Sequence, residues 1–434
     1  MQKEKIYVTV ESIIIVFISL IFLLVLFFSN DIVTQLVAFS LYSAGIIIFL
    51  RMNILHPAVL FTICYYFYSI SYPLMYVMDM NTRFGCSPWL MRYEGIALVV
   101  FLLSVGFSKE DEVSMDTVSY NLKKINVSLW NKIILLTSAI TIIAIMLIYR
   151  SGYTHKSQIY DNHSPVQYVM SLSYIFIMIF TYVMITYSKD GIKLNPFLIG
   201  IAFLSFSGLG LISGERDIAF TMILVFILML FYWRKIKKRH LIILGILGFF
   251  GMLLSARFKY FFISGMSTGE KLKDMTFQNI LYDFFQAEFI TASRNLQIII
   301  ARSTKGLLGW RTLFSDFIKV FVSKEDTSLT WFNSEIYHHE NVGYGFSLVG
   351  EGYVISGVVG VVVVFMITGL FMRYLYKKAR KNPIALSLYF NMIPLMIYSI
   401  RGNISSFLSP FIKHMLLGWI IILIFNKVRN EREI

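Results

Sequence analysis

The sequence has few cysteines and few charged residues for its length. Only two cysteines, Cys64 and Cys86, occur in 434 residues, which excludes a disulfide framework and a cysteine-based metal site. Charged residues make up 15% of the chain and hydrophobic residues 57%, a composition far too apolar for a soluble domain of this size. The net charge of +14 is therefore attributed to basic loops that fix membrane topology, and a nucleic-acid partner is not expected.

Long apolar runs predict an all-α fold, a polytopic transmembrane bundle of about twelve helices. A hydrocarbon core about 30 Å thick needs about 20 apolar residues in helical form, because backbone groups cannot remain unpaired in lipid. The first run lacks a small-residue cleavage site, so we expect it to be retained as a helix. The predicted spans are Ile6–Phe28, Ile32–Leu50, Ala58–Val77, Tyr93–Phe107, Trp130–Tyr149, Val166–Tyr187, Phe197–Ile212, Ile218–Trp233, Leu241–Ala256, Leu348–Met372, Ile384–Ile400 and Phe407–Phe425.

The basic residues predict the orientation of this bundle. The N terminus, the C terminus and alternate loops hold 22 Lys and Arg residues, whereas the opposite short loops and helix ends hold 7. By the positive-inside rule, both termini are expected in the cytoplasm. The chain is thus predicted to form one membrane domain, residues 1–434, with a long extracytoplasmic loop over residues 257–347, between the ninth and tenth helices.

Two amphipathic helices are predicted within the long loop. The first has apolar residues at alternating spacings of three and four: Leu281, Phe285, Phe289, Ala292, Leu296 and Ile299. The second, shorter helix contains Trp310, Leu313, Phe314, Phe317 and Phe321. These helices either cap the bundle or lie in the membrane interface; alternatively, they roof a cavity that opens to lipid.

Two arginines are predicted to lie side by side. Arg216 precedes Arg234 by 18 residues and Arg257 follows Arg239 by 18 residues, so both rise from one basic hairpin to a similar depth of roughly 27 Å. Such a pair needs an anionic partner. In a structural cluster that partner would be Glu215, Asp217 or Glu288.

The alternative is that the arginines clamp a diphosphate, because the planar guanidinium binds phosphate oxygens in pairs. Arg401 and Lys259 would add further arms to this clamp, and Arg294 of the long loop is a further substrate-binding candidate.

Histidines near the end of the long loop, together with Glu351, are the candidates for acid–base chemistry. His338 and His339 adjoin glutamates, and Glu351 follows at the start of the tenth predicted helix. The sequence has no H-E-x-x-H motif, no outward Asp-x-Asp pair, no P-loop and no dinucleotide fingerprint, so we expect no metal and no cofactor. A general base that takes a proton from a sugar hydroxyl is the remaining functional interpretation, and histidines without a role are its alternative.

Several stretches resemble the bacterial oligosaccharide repeat-unit polymerases, the O-antigen polymerase (Wzy) family. They are Ser213-Gly-Glu-Arg-Asp, Ser255-Ala-Arg-Phe-Lys, Gly345-Phe-Ser-Leu-Val-Gly-Glu-Gly-Tyr-Val-Ile-Ser-Gly-Val-Val-Gly and Arg401-Gly-Asn-Ile-Ser-Ser-Phe-Leu-Ser-Pro. The resemblance implies a metal-independent transferase in the cell inner membrane. It would move a glycan from undecaprenyl diphosphate onto an incoming lipid-linked repeat unit at the outer face, with a chain-length regulator and a flippase as partners.

The resemblance also implies roles for single residues. Arg216, Arg257 and Arg401 would handle the diphosphates, with Glu351 near the start of the tenth helix, although Glu215 departs from the small or hydroxyl residue expected beside Arg216. Related O-antigen ligases have a His eleven residues before a Gly, and His339 and Gly350 have this spacing, which makes His339 the preferred base. A ligase remains an alternative, as does a lipid-linked oligosaccharide flippase, for which pseudo-symmetric halves and polar groups at the midplane would be expected.

Overall fold

The fold is built from helices, as the apolar runs predict. The structure, a computed structural model, describes residues 10–80, 85–106, 127–153, 156–189, 195–233, 235–237, 239–241, 243–245, 248, 282, 285, 289–321, 327–337 and 345–430. Over these ranges the chain forms helices and turns, with no strand. The predicted all-α class is therefore confirmed.

The helices fall into two groups, separated by the long loop. The first group comprises α1 Val10–Phe28, α2 Ile32–Phe49, α3 Pro57–Val77, α4 Pro88–Val105, α5 Val127–Ser151, α6 Lys156–Asp161, α7 Val166–Lys189, α8 Pro196–Ser213 and α9 Arg216–Tyr232. The loop contributes α10 Ile290–Ala301, α11 Gly309–Ile318 and α12 Ser328–Trp331, the last continued by a π-helical turn Phe332–Ile336. After it come α13 Leu348–Ser356, α14 Val358–Ala379, α15 Pro383–Ser399, α16 Ser405–Pro410, a π-helical turn Phe411–Met415 and α17 Leu416–Asn430.

Eleven of the twelve predicted spans correspond to apolar helices. Eight helices are long and apolar enough to cross a membrane, with α16, its π-helical turn and α17 counted as one, and three shorter apolar helices lie in α1, α9 and α15. The ninth predicted span, Leu241–Ala256, falls mostly outside the described residues. The chain is thus a polytopic membrane protein, as its composition indicates.

The centre of the bundle is occupied by α15. Nearly all of its side chains are buried, and it packs against α3, α7, α9 and α14. The peripheral helices α1, α2, α5 and α8 instead expose large apolar side chains such as Leu41, Leu136 and Leu204. This distribution suits a protein surrounded by hydrocarbon, where outward-facing residues need not be polar.

The tenth predicted span, Leu348–Met372, is broken in the structure at Gly357. This glycine has a φ of +61°, a backbone conformation that other residues rarely adopt, and it separates α13 from α14. The two helices then fold against each other so closely that a Cβ on Gly360 would lie 1.9 Å from the carbonyl oxygen of Gly352. The prediction of a single continuous helix is therefore wrong. The apolar run does not reveal the turn, which depends on the close approach of two glycine backbones.

Helices α10 to α12, which we call the cap, cover the end of the bundle where α3 ends and α4 begins. Helix α10 packs against α3, α4 and α13, while α11 packs against α13 and α16. Ser293 Oγ accepts a hydrogen bond from Tyr72 N–H of α3, and Gln297 Oε1 accepts one from Ser87 N–H before α4. These contacts attach the cap to the membrane helices.

The helix predicted from the apolar spacing of residues 281–299 is found in part. The described helix α10 begins at Ile290, and Phe285, Phe289, Ala292, Leu296 and Ile299 are buried as expected. Gln297, a polar residue of the same helix, is buried as well, because it bonds the backbone before α4. Leu281 lies outside the described residues.

Candidate functional site

Glu351 lies in the first turn of α13 and is completely buried. Ser347 caps this helix, since its Oγ accepts a hydrogen bond of 3.1 Å from Gly350 N–H. The Glu351 carboxyl accepts a 2.8 Å hydrogen bond at Oε2 from the backbone N–H of Ile404. Its other oxygen, Oε1, meets no donor among the described residues. A buried carboxyl with one unsatisfied oxygen is costly in its ionised form.

Asp316 of α11 is the second buried carboxyl of this site. Its Oδ1 accepts a 3.2 Å hydrogen bond from Asn403 Nδ2, and its Oδ2 accepts a 3.4 Å hydrogen bond from Ser328 N–H. The carboxyls of Asp316 and Glu351 lie close enough for each to influence the protonation of the other. Two neighbouring buried carboxyls repel each other when both are ionised, so protonation of one of them is favoured.

Burial sets the protonation of this pair. Neither residue belongs to a candidate membrane span. Burial raises the pKa of Glu351 well above its ordinary value, and the nearby Asp316 raises it further, although the Ile404 N–H opposes the shift. Burial likewise raises the pKa of Asp316, against the hydrogen bonds from Ser328 and Glu351. The pKa of Glu351 is raised further than that of Asp316, so protonation is favoured at Glu351.

Arg401 is positioned by backbone pairing with the segment that leads into α13. Phe346 N–H donates a 2.8 Å hydrogen bond to the carbonyl of Arg401, and Leu348 N–H donates a 3.1 Å hydrogen bond to the carbonyl of Ile400. The Arg401 guanidinium lies 4.7 Å from the centre of the Tyr398 ring, in cation–π geometry. The segment of Arg401 therefore lies beside the segment that leads to Glu351, although 50 residues separate the two residues in sequence.

Helix α10 brings Arg294 to the same region. A Cβ on Gly345 would lie 2.9 Å from Cγ2 of Thr291 and 3.1 Å from the Arg401 carbonyl oxygen, so α10 and Arg401 flank this glycine. Asn295, which follows Arg294, donates a 3.4 Å hydrogen bond to the carbonyl of Phe346. The Nε of Arg294 is buried without a hydrogen-bond partner among the described atoms. Two of the predicted substrate-binding arginines thus lie on either side of one short segment.

The acidic residues on either side of Arg216, at the start of α9, contact tyrosines. Tyr160 donates a 3.2 Å hydrogen bond to Oε1 of Glu215, and Tyr174 donates one to Oδ2 of Asp217. The two acidic neighbours of Arg216 are therefore engaged by tyrosine hydroxyls.

The remaining predicted site residues lie outside what the structure describes. His338, His339, Arg257 and Lys259 fall in the omitted ranges, and only the backbone of Arg216 is described. No group of three or more His, Cys, Asp or Glu side chains that could hold a metal ion occurs among the described residues. From the predicted set, the structure describes Glu351, Arg401 and Arg294, which lie on three segments that pack together.

Sequence reasoning missed Asp316, Ser328 and Asn403. Asp316 lies between the apolar residues Phe314 and Phe317 of the second predicted cap helix, and a carboxylate inside such a pattern is a signal that the residue faces a polar partner. Asn403 lies inside the Arg401-Gly-Asn-Ile-Ser-Ser stretch, from which the sequence predicts only the arginine as a site residue. The pairing of these residues with Glu351 depends on segments far apart in the chain.

Residues 321–433 match the family model described as O-antigen polysaccharide polymerase Wzy. The match covers 113 of the 434 residues. The matched range contains Glu351, Asn403 and Arg401, whereas Asp316 and Arg294 precede it. The family resemblance predicted from the sequence motifs is confirmed by this match. No curated protein and no solved structure matches the chain.

The Wzy domain supports an O-antigen polymerase role in general, in a multi-pass membrane protein of polysaccharide biosynthesis. It comprises α12 to α17, and therefore the central helix α15 and the short helix α13 that carries Glu351. The cap helix α11 contacts the matched range through Asp316, which accepts hydrogen bonds from Asn403 and Ser328.

Proposed function

We propose that the protein polymerises oligosaccharide repeat units linked to undecaprenyl diphosphate, for a surface polysaccharide such as O-antigen, capsule or exopolysaccharide. The observation that carries the proposal is the Wzy family match over residues 321–433, which includes both Glu351 and Arg401. The proximity of α10, which carries Arg294, to the backbone of Arg401 across Gly345 supports it, because an anionic diphosphate fits a site between arginines.

The reaction is a glycosyl transfer. The bond between the anomeric carbon of the growing glycan and its diphosphate oxygen breaks, and the diphosphate leaves with the bonding electrons. A hydroxyl oxygen of the incoming repeat unit forms the new bond to that carbon, and its proton passes to a general base. Cleavage of this bond between the glycan and the diphosphate drives the transfer, so the proposal requires neither a nucleotide nor a metal.

We assign the diphosphate to Arg401 and Arg294, with Arg216, Arg257 and Lys259 as further cationic groups around it. Arginine suits this task because its planar fork donates two parallel hydrogen bonds to phosphate oxygens.

We assign the general base to His339, with His338 beside it. Glu351 then holds the segment of Arg401 through the Ile404 N–H, in its protonated form. This role is supported by the complete burial of the Glu351 side chain.

We place the reaction at the outer face of the cell inner membrane, with both termini in the cytoplasm. The asymmetry of 22 against 7 basic residues between the two sides supports this orientation. A reporter enzyme fused after Lys271 should be active only outside the cytoplasm, and activity in the cytoplasm would reverse the assignment. A flippase that delivers the lipid-linked unit and a chain-length regulator are the expected protein partners.

The decisive experiment is the glycan pattern of a deletion strain. Loss of a polymerase leaves single repeat units at the surface, loss of a ligase leaves long chains that are not transferred, and loss of a flippase leaves neither outside. Only the first pattern supports the proposal. Purified protein should also extend lipid-linked repeat units in excess chelator, and a loss of activity that a divalent ion restores would refute the metal-independent mechanism.

A further inference from the structure

Helix α11 and its flanking residues have an inverted distribution of polar and apolar side chains. The face that packs on the protein contains Asp316, which is completely buried. The opposite face exposes Leu307, Trp310, Phe314, Ile318 and Phe321, which we call the α11 stripe. Phe314 and Phe321 are 67% and 72% exposed. Trp310, Phe314 and Ile318 are four residues apart and so lie along one side of the helix, while Leu307 and Phe321 flank its two ends. A helix bordered by water would show the reverse pattern.

The stripe begins beside the lipid-facing surface of a membrane span. Gly306 N–H and Leu308 N–H each donate a 3.0 Å hydrogen bond, to the carbonyls of Tyr353 and Val354 at the end of α13. The side chain of Lys305 lies against Gly357, the residue that opens α14. Helix α14 is a candidate membrane span, and its first residues, Val358 and Val359, are exposed. Leu307 therefore continues an apolar surface that already borders hydrocarbon.

Basic and aromatic residues at the edge of the stripe suit a membrane interface. Lys305 and Arg311 are exposed near its beginning, where they can reach lipid phosphates while their stems stay in apolar surroundings. Trp310 lies among them, and tryptophan is enriched at the boundary between headgroups and acyl chains. At the opposite end of the stripe, the exposed residues among those described are Ile318 and Phe321, and both are apolar.

We propose that the α11 stripe lies against the hydrocarbon of the surrounding lipid leaflet. Helix α11 then forms a lipid-facing wall, with Phe314 in the acyl chains and Asp316 on its inner side against Glu351. Lipid can cover a contiguous apolar surface next to a membrane span without a protein partner. Lipid contact also gives the exposed aromatic residues apolar surroundings. This inference concerns the position of the helix and is independent of the reaction catalysed.

Spin labels on the full-length protein in phosphatidylethanolamine–phosphatidylglycerol vesicles test this position. In a Cys64→Ala, Cys86→Ser background, single labels are placed by Phe314→Cys, Arg311→Cys and Val359→Cys, and collisions with oxygen and with a water-soluble nickel complex are measured. Oxygen should dominate at 314, as at the lipid-facing 359, while the nickel complex should dominate at 311. Dominance of the nickel complex at 314 would place the stripe in water. Low collision rates with both reagents there would show that protein covers it. Either result overturns the proposal.

A second measurement needs no change of cysteines. Brominated acyl chains quench tryptophan on contact, so the fluorescence of the wild-type protein in such vesicles should fall further than that of Trp310→Phe. Equal quenching of the two proteins would contradict lipid contact at Trp310. Trp331→Phe, at the half-buried last residue of α12, is the matched control and should leave the fluorescence intensity lost to quenching unchanged.

Discussion

The backbone N–H of Ile404 donates a 2.8 Å hydrogen bond to Oε2 of Glu351, across 53 residues of sequence. This bond attaches the segment that follows Arg401 to the first turn of α13. Asp316 joins the same site from the cap, through Asn403 and Ser328. Three distant parts of the chain are therefore held together by two buried carboxyls.

Substitutions of Glu351 distinguish a structural role, in which its carboxyl accepts the Ile404 N–H, from a role as general base. Glutamine can accept the Ile404 N–H and donate to the Asp316 carboxylate, so Glu351→Gln should retain most polymer length. Glu351→Ala leaves the Ile404 N–H unpaired, at a cost of about 1–3 kcal/mol, and should lower both stability and chain length. Glycan banding and protein abundance are measured together, with the exposed Glu335→Gln as control. Loss of polymer in a stable Gln variant would instead identify Glu351 as a base.

Stability should fall as the pH rises from acid to neutral because of the Asp316–Glu351 pair. Both pKa values are raised in the folded protein, so the folded state binds more protons than the unfolded state between the ordinary and the raised values. The stabilisation is complete below the ordinary pKa values and is lost as the pH passes the raised ones. Each pH unit in that window costs about 1.4 kcal/mol per extra proton.

The measurement is thermal unfolding of purified protein in detergent over a series of pH values. Asp316→Asn removes one carboxyl and should flatten the curve, whereas Asp161→Asn, at an exposed position, should leave the wild-type slope. Parallel curves for wild type and Asp316→Asn would show that the pair does not titrate in this window.

Lysine at the arginine positions should impair polymerisation without loss of protein. Arg401→Lys and Arg294→Lys keep the charge but lose the paired hydrogen bonds, at about 1.5–3 kcal/mol, or roughly one to two orders of magnitude in rate. The same result is expected for Arg216→Lys and Arg257→Lys. Arg302→Lys is the control, because Arg302 bonds the carbonyls of its own cap. Normal chain length in the Lys variants would return the arginines to a structural role.

Alanine at Gly360 should destabilise the fold. Its Cβ would lie 1.9 Å from the carbonyl oxygen of Gly352, which is backbone and cannot rotate away, so α13 and α14 must separate at a cost of about 1–3 kcal/mol. Gly200→Ala in α8 is the control, because nothing lies within 4 Å of the new methyl group. Monodispersity and melting temperature in detergent give the readout. Equal melting temperatures for the two variants would contradict the close approach of α13 and α14.

The sequence by itself indicated the apolar spans and the resemblance to the Wzy family. A span needs a continuous apolar run, and such a run is visible in the order of residues without knowledge of neighbouring helices. Arg401 and Glu351 were also identified from local stretches that resemble the Wzy family, and both lie within the matched range.

Only the tertiary structure decided which residues join Glu351 and which side of α11 faces inward. Asp316 precedes Glu351 by 35 residues, and its contact with Glu351 depends on how the cap packs. The sequence grouped Leu313 with Trp310, Phe314 and Phe321 on one amphipathic helix, but Leu313 is buried while the other three are exposed. In a membrane protein, apolar residues suit the core and the lipid equally, so hydrophobic periodicity cannot separate the two surfaces. The packing of α11 on α13 and α16 makes that choice.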